Sequence, residues 1–408
     1  MEQNKIILTI FAVTYLGIAI GYVPGLKLNR PGIALLGAIG MMIFCGVTTD
    51  AAVSFVNGPT ICLLFGFFVI SAQLRLSGFY DLVAAGLARL LGKPARFLLI
   101  LMLTTGGLSA VLNHDIVCYV FAPITGLALV RKQINPVPFL IALTIASNIG
   151  AAATLIGNPQ NMMIGQVAHL GFGRYLLWSI VPVVFAMTAA YGLIWLMSRK
   201  HLHATLAISG ELAGQTFAFN RLHTVKGIII LLVVIGLFFT SLPKEIIVLA
   251  AAGIHLASTK FRTEDLLGLV EWPILVLFIG LFIVAGAFQS TGYGEAAIHR
   301  LAQGGFNLNA PVNLTLVTAA LSNAVGNSAA VMLLLKVVNL SGPAPFLLAQ
   351  ANSFGGSLII IGSVSNLIVV QQAKQMGIKI SFWDFARLGI PVTLAALAGL
   401  LAWNAVMK

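Results

Sequence analysis

Apolar runs of about 20 residues, separated by short polar segments, follow one another along the whole chain. A run of that length matches the hydrocarbon thickness of a bilayer, so each one predicts a membrane-spanning helix. An outer-membrane barrel would instead need segments of about ten residues that alternate apolar with polar side chains. The pattern therefore predicts an all-α polytopic membrane protein.

The runs fall into three kinds, which predict three kinds of element. The continuous runs, which predict ordinary crossings, lie near 6–23, 32–48, 58–77, 175–197, 227–242, 246–258, 272–290 and 384–406. Two longer runs, about 137–170 and 344–373, are interrupted by polar turns and predict broken transmembrane helices. The run at about 97–130 has a polar tip between limbs of about 15 residues, too short to span, and predicts a re-entrant hairpin; the run at about 308–339 predicts its mirror in the second half. Segments 79–92 and 293–303 predict interfacial helices.

The chain contains an internal repeat. Residues 59–81 match 273–295 at an offset of 214, and residues 153–161 match 358–366 at an offset of 205. The matched pairs include Pro59 with Pro273, Gly66 with Gly280, Gly157 with Gly362, and Asn161 with Asn366. We therefore divide the chain into a first repeat (1–198), a linker (199–226) and a second repeat (227–408). Five predicted crossings in the first repeat give the second an inverted topology.

Charge sets the orientation of these elements. The sequence is 59% hydrophobic and only 8% charged, which excludes a soluble domain, and its net charge is +12. The basic residues are scattered at the ends of apolar runs, which argues against nucleic-acid binding. With both termini outside, Lys and Arg divide 17 to 6 in favour of the cytoplasm. This predicts a multi-pass inner-membrane protein with a cytoplasmic linker, whose His201, His203 and His223 are interpreted as solvated residues, not metal ligands.

Four polar interruptions lie inside the hydrocarbon region: two hairpin tips and two helix breaks. A backbone break is tolerated there only where it is buried in protein or lines a watery cavity. We therefore predict that the four interruptions form one substrate site, although small and amide residues also serve helix packing. The candidate substrate-binding residues are Asn113, Ser147, Asn148, Thr154, Gly157, Asn158, Gln160, Asn161, Ser322, Asn323, Asn327, Ser328, Asn352, Ser353, Gly362, Ser363, Ser365 and Asn366.

Asp115 is the carboxylate predicted to lie deepest in an apolar hairpin. A buried carboxylate pairs with a cation or takes up a proton, so Asp115 is the candidate ion-coupling residue and His114 its candidate partner. The alternative is a protonated Asp115 that only holds the hairpin tip together. No cofactor or resident metal is predicted; Na⁺ or H⁺ is the expected coupling ion. Transient Na⁺ sites are predicted at Asn113, Asn161, Asn323 and Asn366.

Four motifs resemble those of the ion transporter superfamily that includes arsenite permeases, citrate–metal permeases and divalent-anion symporters. They are NHDIVCYVFAPI (113–124), SNIGAAATLIGNPQN (147–161), LSNAVGNSAAVMLL (321–334) and GGSLIIIGSVSNLIV (355–369). The GNPQN variant is similar to that of silicic acid/arsenite efflux transporters. Its Asn158 replaces the usual aspartate, which favours protons over sodium. The resemblance implies an elevator mechanism, in which hairpins and broken helices slide against a scaffold that dimerises.

The function expected is that of a secondary active transporter. Its partners are the lipid bilayer and a small inorganic oxyanion or metalloid hydroxide, such as arsenite or silicate. A gradient of H⁺ or Na⁺ drives the transport of this solute. A sodium/proton antiporter and a citrate or dicarboxylate carrier are alternatives, although no Arg or Lys falls within the four breaks. An intramembrane enzyme using His114 and Asp115 is more remote, since no HExxH or GxSxG motif occurs.

Overall fold

A computed structural model describes residues 2–21, 27–88, 94–199, 219–258 and 260–407. These residues form twenty α-helices, ten in each predicted repeat, and a short 3₁₀ turn at Ile360–Gly362. Within the described ranges, seven helices are long and apolar enough to cross a membrane. The all-α prediction is therefore confirmed.

The helices of the first repeat run from α1 to α10. They are α1 (Glu2–Ile20), α2 (Arg30–Cys45), α3 (Thr49–Phe55), α4 (Gly58–Leu76), α5 (Phe79–Ala88), α6 (Pro94–Val111), α7 (His114–Arg131), α8 (Val137–Ala151), α9 (Pro159–Val167) and α10 (Phe172–Ser198). Those of the second repeat are α11 (Arg221–Leu237), α12 (Lys244–Leu256), α13 (Thr263–Gly268), α14 (Trp272–Gln289), α15 (Tyr293–Gln303), α16 (Pro311–Val325), α17 (Asn327–Val337), α18 (Ala344–Gly355), α19 (Val364–Gln375) and α20 (Phe382–Val406). The two repeats thus share one order of elements.

Close helix contacts recur at the offset of 214 residues. A side-chain carbon built on Gly66 of α4 would lie 3.0 Å from the carbonyl oxygen of Val248 in α12. One built on Gly280 of α14 would lie 2.7 Å from the carbonyl carbon of Ala34 in α2. Gly66 and Gly280 are repeat equivalents, and so are Ala34 and Val248. Each repeat therefore contributes a glycine and its partner to two matching contacts across the repeats.

The two hairpins form as predicted pairs of helices, but the limb lengths differ from expectation. Helices α6 and α7 have 18 residues each and are long enough to span, so the length argument for a re-entrant first hairpin was wrong. Burial supplies a different argument, because the tip residues Leu112 and Asn113 are only 1% and 5% exposed. A turn that reached the far membrane surface would be wet. The re-entrant placement, which no membrane in the structure defines, stays a prediction.

Some boundaries differ from those read from hydrophobicity. Helix α11 begins at Arg221, inside the predicted linker, because the Asn220 side chain accepts a hydrogen bond from the His223 amide (3.2 Å) and caps it. The short helices α3 and α13 were not predicted. His201 and His203 of the linker, and the last residues of the predicted interfacial helix 79–92, lie outside the described residues.

Cysteine labelling tests the inverted arrangement. Pro94→Cys and Gln133→Cys, at the two ends of the first hairpin, are expected to react with an impermeant maleimide from the cytoplasm. Asn339→Cys, at an exposed end of the second hairpin, is expected to react from outside. The substitutions are made in a chain whose three native cysteines are replaced. Labelling of Gln133→Cys and Asn339→Cys from the same side would contradict inversion.

Candidate functional site

The four predicted interruptions meet at one cavity. His114 and Asp115 line it from the first hairpin tip, Pro159 and Gln160 from the first break, and Ser363 from the second break. The second hairpin tip contributes Gly326, Asn327 and Ser328. The cavity volume is about 40 Å³. The predicted convergence is thus found in the structure, around a small space.

Four helices begin at this cavity. Asn113, Asn158, Gly326 and Ser363 are the N-caps of α7, α9, α17 and α19. The first backbone N–H groups of a helix have no partner within the helix, and the helix dipole adds positive partial charge there. Glycine is required at position 326, because its φ is 86°. Four such termini around one cavity favour oxygen atoms and negative charge.

Arg30 adds a full positive charge that the sequence reasoning missed. It begins α2, outside the four interruptions, and lines the cavity. Its Nε donates to the Ile18 carbonyl (3.2 Å). Arg30 Nη1 lies 3.6 Å from the position that a Cβ atom added to Gly326 would occupy. Among the described residues, Arg30 forms no ion pair with Asp115. The cavity therefore has a cation nearby even though no Arg or Lys falls within the four breaks.

His114 and Asp115 form the titratable pair of the cavity. His114 Nε2 lies 3.5 Å from Asp115 Oδ1, and the two residues are 4% and 5% exposed. The Asp115 amide donates to Asn113 Oδ1 (2.8 Å), which fixes the start of α7. Within the described part of the chain, His114 Nδ1 has no hydrogen-bond partner. A role of this pair in ion coupling stays a prediction.

Side-chain hydrogen bonds join the two repeats beneath the cavity. Asn158 Nδ2 donates to Ser353 Oγ (3.0 Å), and Ser363 Oγ donates to Asn148 Oδ1 (3.1 Å). These two bonds are equivalent at the offset of 205 residues. Gln160 Nε2 also donates to Ser328 Oγ (2.7 Å), which links the first break to the second hairpin tip. Together with the bond from Ser147 Oγ to the His114 carbonyl (3.2 Å), which reaches the first hairpin tip, these bonds hold the four elements to one another.

Asn161 and Asn366 hold the two helix breaks in the same way. Asn161 Nδ2 donates to the carbonyls of Ala151 (3.2 Å) and Thr154 (3.0 Å). Asn366 Nδ2 donates to the carbonyls of Gly356 (2.7 Å) and Ile359 (3.0 Å), which are the equivalent positions. Both amides satisfy backbone oxygens that the breaks leave without helical partners. A direct contact of either amide with substrate stays a prediction.

The other candidate residues are buried around these bonds. Ser147 donates to the His114 carbonyl (3.2 Å), Thr154 to the Ala110 carbonyl, Ser322 to the Thr318 carbonyl (2.8 Å) and Ser365 to Asn148 (3.0 Å). Gly157 and Gly362 pack so closely that a side chain would strike Ala151 and Asn323 respectively. Asn352 is fully buried, and both its amide atoms have no partner among the described residues.

The predicted sodium ligands differ in their free oxygens. Asn366 Oδ1 accepts from Thr144 (2.7 Å) and Asn148 (3.1 Å), which uses both of its lone pairs. Asn161 Oδ1 and Asn323 Oδ1 have no partner within the described ranges. Asn113 Oδ1 accepts only from the Asp115 amide, so the oxygens of Asn113, Asn161 and Asn323 could accept a cation without breaking a bond seen here. Sodium binding stays a prediction at all four asparagines, including Asn113.

A sequence profile described as citrate transporter (CitMHS) matches residues 6–345, which is most of the chain. The chain belongs to the citrate transporter family. The 46 kDa membrane protein of Mycobacterium leprae is 31% identical over 98% of this chain and 98% of its own length. The silicon efflux transporter LSI3 of Oryza sativa subsp. japonica is 25% identical over 92% of each chain.

One solved structure extends the comparison of this citrate transporter family member to the fold. MtrF of Neisseria gonorrhoeae, described within a class of antimetabolite efflux pumps, has a TM-score of 0.61 and 12% identity. The match covers 98% of this chain and 94% of MtrF. Family and fold together make this chain a multi-pass membrane transporter and not an enzyme, which confirms the transport prediction and its superfamily.

Proposed function

We propose that this member of the citrate transporter family moves a small oxyanion or metalloid hydroxide, of the arsenite or silicate kind, across the inner membrane. The observation that carries the proposal is the small cavity bordered by four helix N-termini and Arg30. N–H donors and a guanidinium bind oxygen atoms of a solute, whether it is an anion or a neutral hydroxide.

Unpartnered acceptors support a hydroxylated solute. Asn327 Oδ1 is a buried atom of a cavity-lining residue with no hydrogen-bond partner among the described residues, and Asp115 Oδ1 has only its 3.5 Å contact with His114 Nε2. A hydroxyl group of the solute would supply the missing donor, while its oxygen accepts from the helix N-termini. A simple cation would satisfy the acceptors but would face the positive charge of Arg30. This contrast favours a hydroxylated solute over sodium/proton exchange.

The volume argues against citrate as the occupant of this conformation. Citrate has three carboxylates and is larger than arsenite or silicic acid, so the cavity of about 40 Å³ would have to open further to hold it. The family name nevertheless keeps citrate as the second candidate. The positive lining suits its charge, and an opened cavity would be required to hold it.

Asp115 is the proposed coupling residue, with H⁺ favoured over Na⁺. It is a carboxylate that lines the cavity, beside the titratable His114. Movement of the hairpins and broken helices as one body against the other spans, in an elevator step, is consistent with the hydrogen bonds that tie the four elements together, including that from Ser147 to the His114 carbonyl. A homodimer formed through the other spans, with the linker in the cytoplasm, completes the proposal.

A transport screen tests the proposal. Purified protein in liposomes is given arsenite, silicic acid, phosphate, sulfate, citrate or Na⁺ under an imposed pH or sodium gradient. We expect concentrative movement of arsenite or silicic acid driven by the pH gradient, because the cavity is small and Asp115 is its carboxylate. Protein-free liposomes are the control. Movement of citrate alone, or Na⁺ exchange without any solute, would overturn the proposal.

A further inference from the structure

Arg30 and Lys244 occupy equivalent positions in the two repeats. Arg30 begins α2 and Lys244 begins α12, and their numbers differ by the same 214 residues that relate the Gly66 and Gly280 contacts. The predicted orientation puts the start of α2 at the cytoplasmic side and the start of α12 at the external side. The chain therefore carries one cation at the corresponding helix start on each side of the membrane.

Their surroundings differ in the conformation of the structure. Arg30 lines the substrate cavity and lies beside Gly326 of the second hairpin tip. Lys244 lines a separate pocket with Gln166 and His169. It donates to the Thr240 carbonyl and lies 6.0 Å from the ring centre of Phe238. One of the two equivalent cations thus faces the cavity, while the other does not.

The scaffold contacts of the two hairpins show the same asymmetry. Helices α1 and α14 pack against the limbs α16 and α17 of the second hairpin. Helix α4 is the repeat equivalent of α14, and it packs against α9 of the first broken segment. In a transporter built from two repeats, each repeat can adopt the conformation that the other has here, and the result is the state open to the other side of the membrane. That exchange would bring the first hairpin tip, at Asn113, towards Lys244.

We propose that Arg30 and Lys244 are side-specific solute-binding cations, Arg30 acting in the state open to the cytoplasm and Lys244 in the state open to the outside. This rests on the proposed function, since it assumes an oxygen-rich solute and alternating access. Arg30 donates to solute oxygens from Nη1 or Nη2, and Lys244 from Nζ. Because both residues belong to the scaffold, the solute exchanges one cation for the other when the hairpins and breaks move.

Arg30→Gln and Lys244→Gln separate the two sides. Uptake of arsenite is measured in everted vesicles, which expose the cytoplasmic face, and in right-side-out vesicles. We expect Arg30→Gln to raise the KM about tenfold in everted vesicles, because one charge-assisted hydrogen bond to the solute is lost. In right-side-out vesicles the KM is expected to change less than about twofold. Lys244→Gln is expected to give the reverse pattern.

The matched controls are Arg30→Lys and Lys244→Arg, which keep the charge and are expected to restore most of the lost affinity. Their melting temperatures in detergent, compared with those of the glutamine variants, separate loss of binding from loss of folding. If both glutamine variants raise the KM on the same face, or neither does, the side-specific role is wrong. If the wild type moves citrate but no arsenite or silicic acid, the proposed function fails, and the same comparison made with citrate still decides the role of the two cations.

Discussion

Asp115→Asn is expected to reduce pH-gradient-driven accumulation of solute by about a hundredfold, to the level of protein-free liposomes. Asparagine keeps the size of the side chain and its acceptor oxygen but cannot release a proton. The bond from the Asp115 amide to Asn113 Oδ1 (2.8 Å) involves only the backbone of residue 115 and persists. The start of α7 should therefore stay in place while coupling is lost.

Downhill exchange of solute distinguishes coupling from binding. Liposomes loaded with unlabelled arsenite, without any ion gradient, are given labelled arsenite outside. We expect the Asp115→Asn variant to retain this exchange, because Arg30 and the helix N-termini are unchanged. Wild-type accumulation by the variant would refute the coupling role. Loss of exchange together with a lower melting temperature would instead assign Asp115 to holding the hairpin tip.

Asn366→Ala is expected to lower the free energy of unfolding by about 3 kcal/mol or more. The amide of Asn366 accepts from Thr144 and Asn148 of the first repeat and donates to the carbonyls of Gly356 and Ile359. Alanine leaves these buried groups without that partner, and each unsatisfied group costs about 1–3 kcal/mol. Unfolding in detergent, followed by tryptophan fluorescence, measures the change.

Asn313→Ala is the matched control. The Asn313 amide also donates to a backbone carbonyl, that of Asn307 (2.8 Å), but this bond is exposed to solvent. We expect a change within about 0.5 kcal/mol, since water replaces the lost partner. Equal stability of the two variants would mean that the four hydrogen bonds of the Asn366 side chain contribute nothing measurable to stability.

The order of helices could be predicted because it depends on local information. Apolar run length and polar tips are read from residues close together along the chain, and they located most of the helices and the polar turns between them. The predicted limbs of the first hairpin were too short, because its helices extend into residues that hydropathy counts as polar. The tip of the first hairpin, for example, contains just two non-helical residues, Leu112 and Asn113.

The polar residues of the site could be predicted as a group, but not their individual positions. Their amides and hydroxyls are conspicuous in an apolar chain, whereas whether Asn366 faces the cavity or the backbone depends on partners more than 200 residues away. Arg30 was missed for a related reason. A basic residue at the start of a membrane helix is expected from orientation alone. Only its approach to Gly326, far along the chain, indicates another role.

The paired glycine contacts between the repeats have a consequence for how such a protein is built. Gly66 meets Val248 and Gly280 meets Ala34, so one patch of surface is used reciprocally, as in an isologous dimer. A polypeptide of half this length would already carry both complementary sides of that patch. Two such polypeptides could therefore bury the same pair of contacts against each other without a covalent connection.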